Sequence, residues 1–128
     1  MRGPVSAMPN VLVTMPFNED QLNRLRAASP DLHVTCEDAE TANYSTTDIL
    51  YAGMPPRDLT RAPKLKWVQL HMAGVNALHD HPIYTDSHIV LTTTSGVHGP
   101  TIAEYAISML LALAHRVPRM VEWKARGA

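Results

Sequence analysis

Two loops in this sequence hold residues whose types and spacing suit chemistry. The first lies in Leu65-Lys66-Trp67-Val68-Gln69-Leu70-His71-Met72-Ala73-Gly74-Val75-Asn76. It reads as a strand, a tight glycine turn and the start of a helix. Amides at such a turn point at one spot and attract anions. A carboxylate or phosphate would sit on the backbone N–H groups of Ala73 and Gly74. The same glycine also suits any strand-to-helix turn, so the pattern alone leaves both readings open. The second loop lies in Thr94-Ser95-Gly96-Val97-His98-Gly99-Pro100-Thr101-Ile102-Ala103-Glu104-Tyr105. It follows a strand, at the carboxyl edge where open α/β sheets bind ligands. Gly96 and Gly99 give only G-x-x-G spacing. No G-x-G-x-x-G and no Walker A sequence occurs in the chain. The plainer alternative is a flexible hinge before a helix.

Other reactive side chains are scattered. His79 and His81 flank Asp80 at a spacing that neither helix nor strand turns into a strong chelate, and no cysteine pair assists. They read as surface loop residues before Pro82, and no metal site is expected. His98 sits in a ligand-edge loop, and histidine is the side chain most often used to move protons, which makes it a candidate base. Cys36, the single cysteine, cannot form an internal disulfide, which fits a reducing compartment. At the end of a strand it reads as a small buried residue. Trp67 reads as core and Trp123 as partly bare. Met72 either faces a pocket or fills the loop.

The elements that position these loops follow from periodicity. Asn10 to Met15 is a short β-branched run closed by Pro16 and reads as a buried strand. Asn18 can cap a helix with Glu19 and Asp20 in its first turn. Leu22, Leu25 and Arg26 set its face, and Pro30 stops it. Asp31 to Cys36 alternates as a second strand. Glu37 to Thr46 is polar, with a short helix or loop. Asp48 to Ala52 is a third strand, broken by Gly53 and Pro55-Pro56. Arg57 to Ala62 makes one or two helical turns. Lys66 to Leu70 is a fourth strand, Val75 to Asp80 a short helix, and Ile89 to Thr93 a fifth strand. Strands alternating with helices imply a parallel sheet, and five of them predict a flavodoxin-like α/β fold.

The tail differs. Pro100 fits at or just before the first helical position, and Thr101 with Glu104 approximates a capping box. From Ile102 to Ala114 nearly every residue is apolar. Such a helix must be covered on most sides, and one small sheet covers a single face. Another domain or another copy of the chain must supply the rest. Pro118 should kink or restart the helix. The piece from Pro118 to Arg126 is amphipathic.

Composition sets the outer limits. A chain of 128 residues suits one domain with a real core. Hydrophobic residues make up 45%, charged residues 18%, and the formal net charge is −1, so no basic surplus exists to hold nucleic acid. Met1 to Ser6 shows no apolar signal-peptide core, and Tyr105 to Ala114 falls short of the ~20 residues that span a bilayer. A cytoplasmic protein is expected. A receiver domain is excluded, because Met15-Pro16, Ala52-Gly53 and Thr94-Ser95 stand where its acidic residues and lysine belong. An FMN-binding flavodoxin is disfavoured, since no Ser/Thr-rich phosphate loop follows the first strand.

Taken in order and spacing, the two loops resemble the N-terminal part of the D-isomer-specific 2-hydroxyacid dehydrogenase family. The shared features are Leu65-Lys66-Trp67-Val68-Gln69, Ala73-Gly74-Val75-Asn76, and then Gly96-x-His98-Gly99 with Ala103-Glu104-Tyr105. A Leu/Ala-rich helix and His115-Arg116-Val117-Pro118 follow. The likeness runs from about Leu65 to Arg126. It implies a two-domain oxidoreductase, dependent on NAD or NADP, in which NADH or NADPH reduces a small 2-oxo acid such as glyoxylate or hydroxypyruvate, or the oxidised cofactor takes the hydride back in the reverse direction. On that reading residues 1–100 are a partial substrate domain and 101–128 an interdomain and dimerisation helix. The backbone of Met72, Ala73, Gly74 and Val75 would hold the substrate carboxylate. Thr101 would lie near the nicotinamide, and the helix from Thr101 to Ala114 would join a homodimer. His98 would shape the pocket or hinge rather than move protons.

The departures are equally informative. The family's catalytic arginine, acidic residue and histidine have no matching positions here, and the glycine-rich cofactor loop is missing. No catalytic residue is therefore assigned, and the 128 residues are expected to be inactive alone. Asn76 stands where aspartate is commoner. His71 is bulkier than usual and would narrow the pocket. The alternative reading is a non-catalytic dimerisation module.

Overall fold

The computed structural model describes residues 8–85 and 88–127. It divides into two compact units, Met1–Ser95 and Gly96–Ala128. The first holds a five-stranded parallel sheet of β1 (Asn10–Val13), β2 (His33–Cys36), β3 (Ile49–Ala52), β4 (Trp67–Leu70) and β5 (Val90–Thr92). Its order is β2-β1-β3-β4-β5. This is the flavodoxin-like α/β order, and all five expected strands are present, each trimmed by a residue or two.

One α-helix, α1 (Glu19–Arg26), links β1 to β2. Asn18 caps it as expected, and the cap is reciprocal. The Asn18 side chain accepts from the Gln21 amide at 2.9 Å, and the Gln21 side chain accepts from the Asn18 amide at 2.9 Å. Two otherwise orphaned amides are satisfied this way. The helix ends at Ala27, three residues short of Pro30. Ser29, the residue before that proline, is sterically biased away from helical backbone.

The other crossovers hold only short turns, as the readings of 37–46 and 57–62 allowed. Tyr44–Thr46, Leu59–Arg61, Asn76–Leu78 and Pro82–Tyr84 are single 3₁₀ turns. The helix expected over Val75 to Asp80 is one of these. Asn43, Asp58 and His81 each cap their turn by accepting a backbone amide. The Asn76–Leu78 turn has no such cap, its N-cap being Val75, and Pro82 a few residues on limits its growth.

Alternation in the strands divides the core in two. Leu12, Leu50, Ala52, Val68 and Leu70 lie on one face and pack with Tyr44, Leu65, Leu78 and Ile83 from the crossover turns. Leu50, Leu70 and Leu78 are completely buried, each contributing roughly 2 kcal/mol of apolar burial. Burial also raises the Tyr44 phenol pKa, and its hydroxyl donates to the Ala39 carbonyl at 2.8 Å. On the opposite face Val13 and Val34 pack with Leu22 of α1. Beyond α1 that face stays open as an apolar groove of about 350 Å³ floored by Ile49, Tyr51, Trp67 and Gln69.

Three burial expectations are corrected by this layout. Trp67 is 39% exposed, because it stands on the face that α1 does not reach. Its indole donates to Thr92 Oγ1 at 2.7 Å. Cys36 is exposed, since β2 is an edge strand and its thiol lies 3.5 Å from the Met15 carbonyl. His81 is buried rather than at the surface. Its Nδ1 accepts from the Ile83 amide at 3.2 Å, so its Nε2 carries the hydrogen and donates to the Pro55 carbonyl at 3.2 Å.

The second unit consists of α2 (Gly99–Ala114) and α3 (Val117–Ala125). The capping box expected from Thr101 and Glu104 does not form. His98 is the N-cap, without a side-chain cap bond, and Thr101 already lies inside the helix. Pro118 restarts the helix as expected. Arg116, at φ 54°, is the single non-glycine residue with left-handed backbone among the described residues, and it makes the corner. Along α2, Ile102, Tyr105, Ile107, Leu110, Leu111 and Leu113 are exposed, and two helices alone provide no core to cover them. Among the described residues no helix is long and apolar enough to cross a membrane.

Candidate functional site

The first unit gathers its candidate chemistry at the carboxyl ends of β3, β4 and β5. In-register pairing of Ala52 with Leu70 brings the residues after β3 and β4 to one edge. His71 continues the ladder for one bond, its amide donating to the Ala52 carbonyl at 2.8 Å. The chain then turns through Met72, Ala73, Gly74 and Val75.

Two contacts staple this turn to the loop after β5. The Thr94 amide donates to the Met72 carbonyl at 3.2 Å, and Thr94 Oγ1 donates to the His71 carbonyl at 2.9 Å. The side chains of Met72 and Val75 pack against the core cluster. Of the two roles open to Met72, the structure favours filler. Ala73 and Gly74 between them are exposed. Their amide hydrogens have no partner among the described residues. Two anchored ends thus hold out two free donors.

Gly74 has no local reason to be glycine. Its φ lies outside the left-handed region, and a Cβ built on it meets nothing within 4 Å. Neither backbone strain nor close packing selects it. Open space beside two free amides is what an anionic ligand requires. Gly53, by contrast, is closely packed: a Cβ there would come within 3.4 Å of Met15 Sδ.

One polar pair at this edge was not anticipated. Tyr51, on β3, places its hydroxyl 2.8 Å from His71 Nδ1. The two rings meet edge to face at 5.9 Å, and Phe17 backs Tyr51 at 5.1 Å. The signal available in the sequence was positional: both residues lie at strand ends that adjacent parallel strands bring together.

The remaining candidates are placed as follows. Thr101 is exposed in the first turn of α2, in the second unit. His98 is the backbone N-cap of that helix. His79 and Asp80 form an exposed pair at 2.8 Å. Among the described residues no group of three or more His, Cys, Asp or Glu side chains is placed to hold a metal ion.

Comparison with known proteins adds a structural likeness. No family model matches this sequence, and no curated protein matches it. Among solved structures, the crystal structure of phosphoglycerate dehydrogenase from Lactobacillus plantarum is similar, with 27% identity and a TM-score of 0.54. The chain resembles part of a dehydrogenase. The alignment covers 81% of this chain and 34% of that one, so the chain spans about a third of that protein's length.

Proposed function

We propose that the turn Met72–Val75 is the carboxylate-binding element of a 2-hydroxyacid dehydrogenase. The whole enzyme would interconvert a small 2-oxo acid, such as glyoxylate or hydroxypyruvate, and its 2-hydroxy acid. The observation that carries this reading is the pair of unpartnered amides at Ala73 and Gly74, beside a glycine that nothing local requires. The likeness to phosphoglycerate dehydrogenase supports it.

In this reading the chain's own residues bind and orient. Ala73 and Gly74 donate two backbone hydrogen bonds to the substrate carboxylate. Charge assistance makes such bonds shorter and stronger than neutral ones. Met72 and Val75 fix the turn from the core side, and Thr94 fixes it from the β5 side, so the donors are set before substrate arrives. A nicotinamide cofactor, NAD or NADP, would supply or accept the hydride. The residues present do not by themselves make its site. No G-x-G-x-x-G turn occurs, and only Thr101 is assigned near the nicotinamide. The family's catalytic arginine, acid and histidine likewise have no matching positions in these 128 residues. No proton or hydride step is therefore assigned to this chain.

The helix α2 would serve a homodimer. Its exposed apolar side chains favour this, because clustered exposed apolar side chains mark contact surfaces. The same observation favours the second reading, a non-catalytic dimerisation module.

Fluorescence titration of the 128-residue chain with NADH and NADPH, followed by hydroxypyruvate, tests the division of labour. The expected result is no binding tighter than about 1 mM and no loss of reduced-cofactor absorbance. Micromolar binding or steady turnover would place the cofactor site within this chain and overturn that division.

A further inference from the structure

We propose that the Tyr51–His71 pair selects 2-oxo acids that carry a hydroxyl at the end remote from the carboxylate. This rests on the reading of Ala73 and Gly74 as the carboxylate anchor. His71 is exposed, and its Nδ1 is engaged by the Tyr51 hydroxyl at 2.8 Å. Its other ring nitrogen has no partner among the described residues. The imidazole is therefore held at one end and open at the other.

Position within the chain puts His71 next to the turn that would hold the ligand. His71 and Ala73 are two residues apart, at most ~7 Å along extended backbone. A three-carbon acid is itself only about as long as such a step. The pair is also supported from behind, since Phe17 packs on Tyr51 at 5.1 Å and Thr94 Oγ1 holds the His71 carbonyl at 2.9 Å. A polar atom on a braced ring beside the anchor will discriminate by what the substrate's far end offers.

The chemistry of the pair favours a hydroxyl. If Tyr51 donates to Nδ1, Nε2 carries a hydrogen and donates. If Nδ1 donates to the phenol oxygen, Nε2 is an acceptor. A hydroxyl both donates and accepts, so it satisfies Nε2 in either tautomer. A carboxylate satisfies only the donor form, and a methyl group satisfies neither. Hydroxypyruvate and pyruvate differ by this hydroxyl alone.

The test is amide NMR on the full ¹⁵N-labelled chain, titrated separately with pyruvate and with hydroxypyruvate. Wild type should shift the Ala73 and Gly74 amides with both acids, binding hydroxypyruvate about fivefold more tightly, the scale of one hydrogen bond. In His71→Leu the preference should fall to about one with pyruvate affinity retained. His71→Gln, which keeps a polar end, should restore part of it. Equal affinity for the two acids in wild type overturns the selection while leaving the anchor standing, and needs no variant. A preference that survives in both variants also overturns it. Unmoved Ala73 and Gly74 amides with either acid would remove the anchor and this inference together.

Discussion

Lys66 Nζ lies 2.8 Å from Asp48 Oδ1, and this contact ties together the residues that lead into β4 and β3. The other carboxylate oxygen of Asp48 accepts from the Asn10 amide at 3.1 Å, which adds the start of β1. One side chain thus fixes the amino ends of three strands, two of which, β3 and β4, carry the candidate site at their opposite ends.

The Asp48 carboxyl is held below its ordinary pKa, first by the hydrogen bond from Lys66 and then by the one from Asn10. A lowered folded-state value means stability that is present above the unfolded pKa of ~3.9 and lost as pH falls through the folded value. Lys66 is largely exposed, so the ion pair itself is screened. Asp48→Asn should cost about 1 kcal/mol near pH 7, mostly as lost hydrogen bonding. Urea unfolding at pH 7 and pH 3 should show the wild-type advantage shrinking at the lower pH. An advantage that is constant across that range would contradict the assignment.

Asn18→Ala removes the side chain on which the reciprocal cap of α1 depends. The expected loss is about 1 kcal/mol, with Gln21→Ala costing less. The double variant should lose less than the sum of the two, because both act on one capping box. Thermal unfolding of the four proteins measures this, and strict additivity would contradict the coupling.

The exposed apolar face of α2 gives a further expectation. The chain should sediment as a dimer at micromolar concentration, and replacing Leu110 and Leu113 with glutamate should make it a monomer. Analytical ultracentrifugation distinguishes the two states. A wild-type monomer would remove the dimer helix from the proposal.

The sheet was legible because parallel strands are short β-branched runs bounded by proline and glycine, as at Val11-Leu12-Val13 before Pro16 and at Ile49-Leu50 before Gly53. The cap at Asn18 was equally plain, since its partner lies three residues away. Burial was harder. Trp67 has a core residue's chemistry, but its exposure depends on how far α1 extends across the sheet, which no local pattern encodes. His81 looked like a surface residue beside Pro82, yet it satisfies two backbone groups of the crossover from inside. The helix expected from Val75 shrank to a 3₁₀ turn, with no side-chain cap at its start and Pro82 close behind it, a balance too fine for periodicity. At the site, the Ala73-Gly74 turn was readable as a motif. The Tyr51–His71 contact joins residues twenty positions apart and needed the register of β3 against β4.

Gly74→Val separates structure from binding at the turn. A Cβ there meets no protein atom, so stability should change by less than about 0.5 kcal/mol. The added side chain enters the open space beside the free amides, and affinity for a small carboxylate should fall at least ~fivefold, as if one of the two hydrogen bonds were lost. Equal affinity in the variant would mean that the ligand, if bound, lies elsewhere.

The most direct measurement is an amide NMR titration of the wild-type chain with glyoxylate, the smallest 2-oxo acid. The account predicts saturable shifts centred on Ala73 and Gly74, with smaller ones at Thr94, and the core strands unmoved. Shifts absent from these two amides at tens of millimolar glyoxylate, or spread evenly over the surface, would contradict the carboxylate-binding turn.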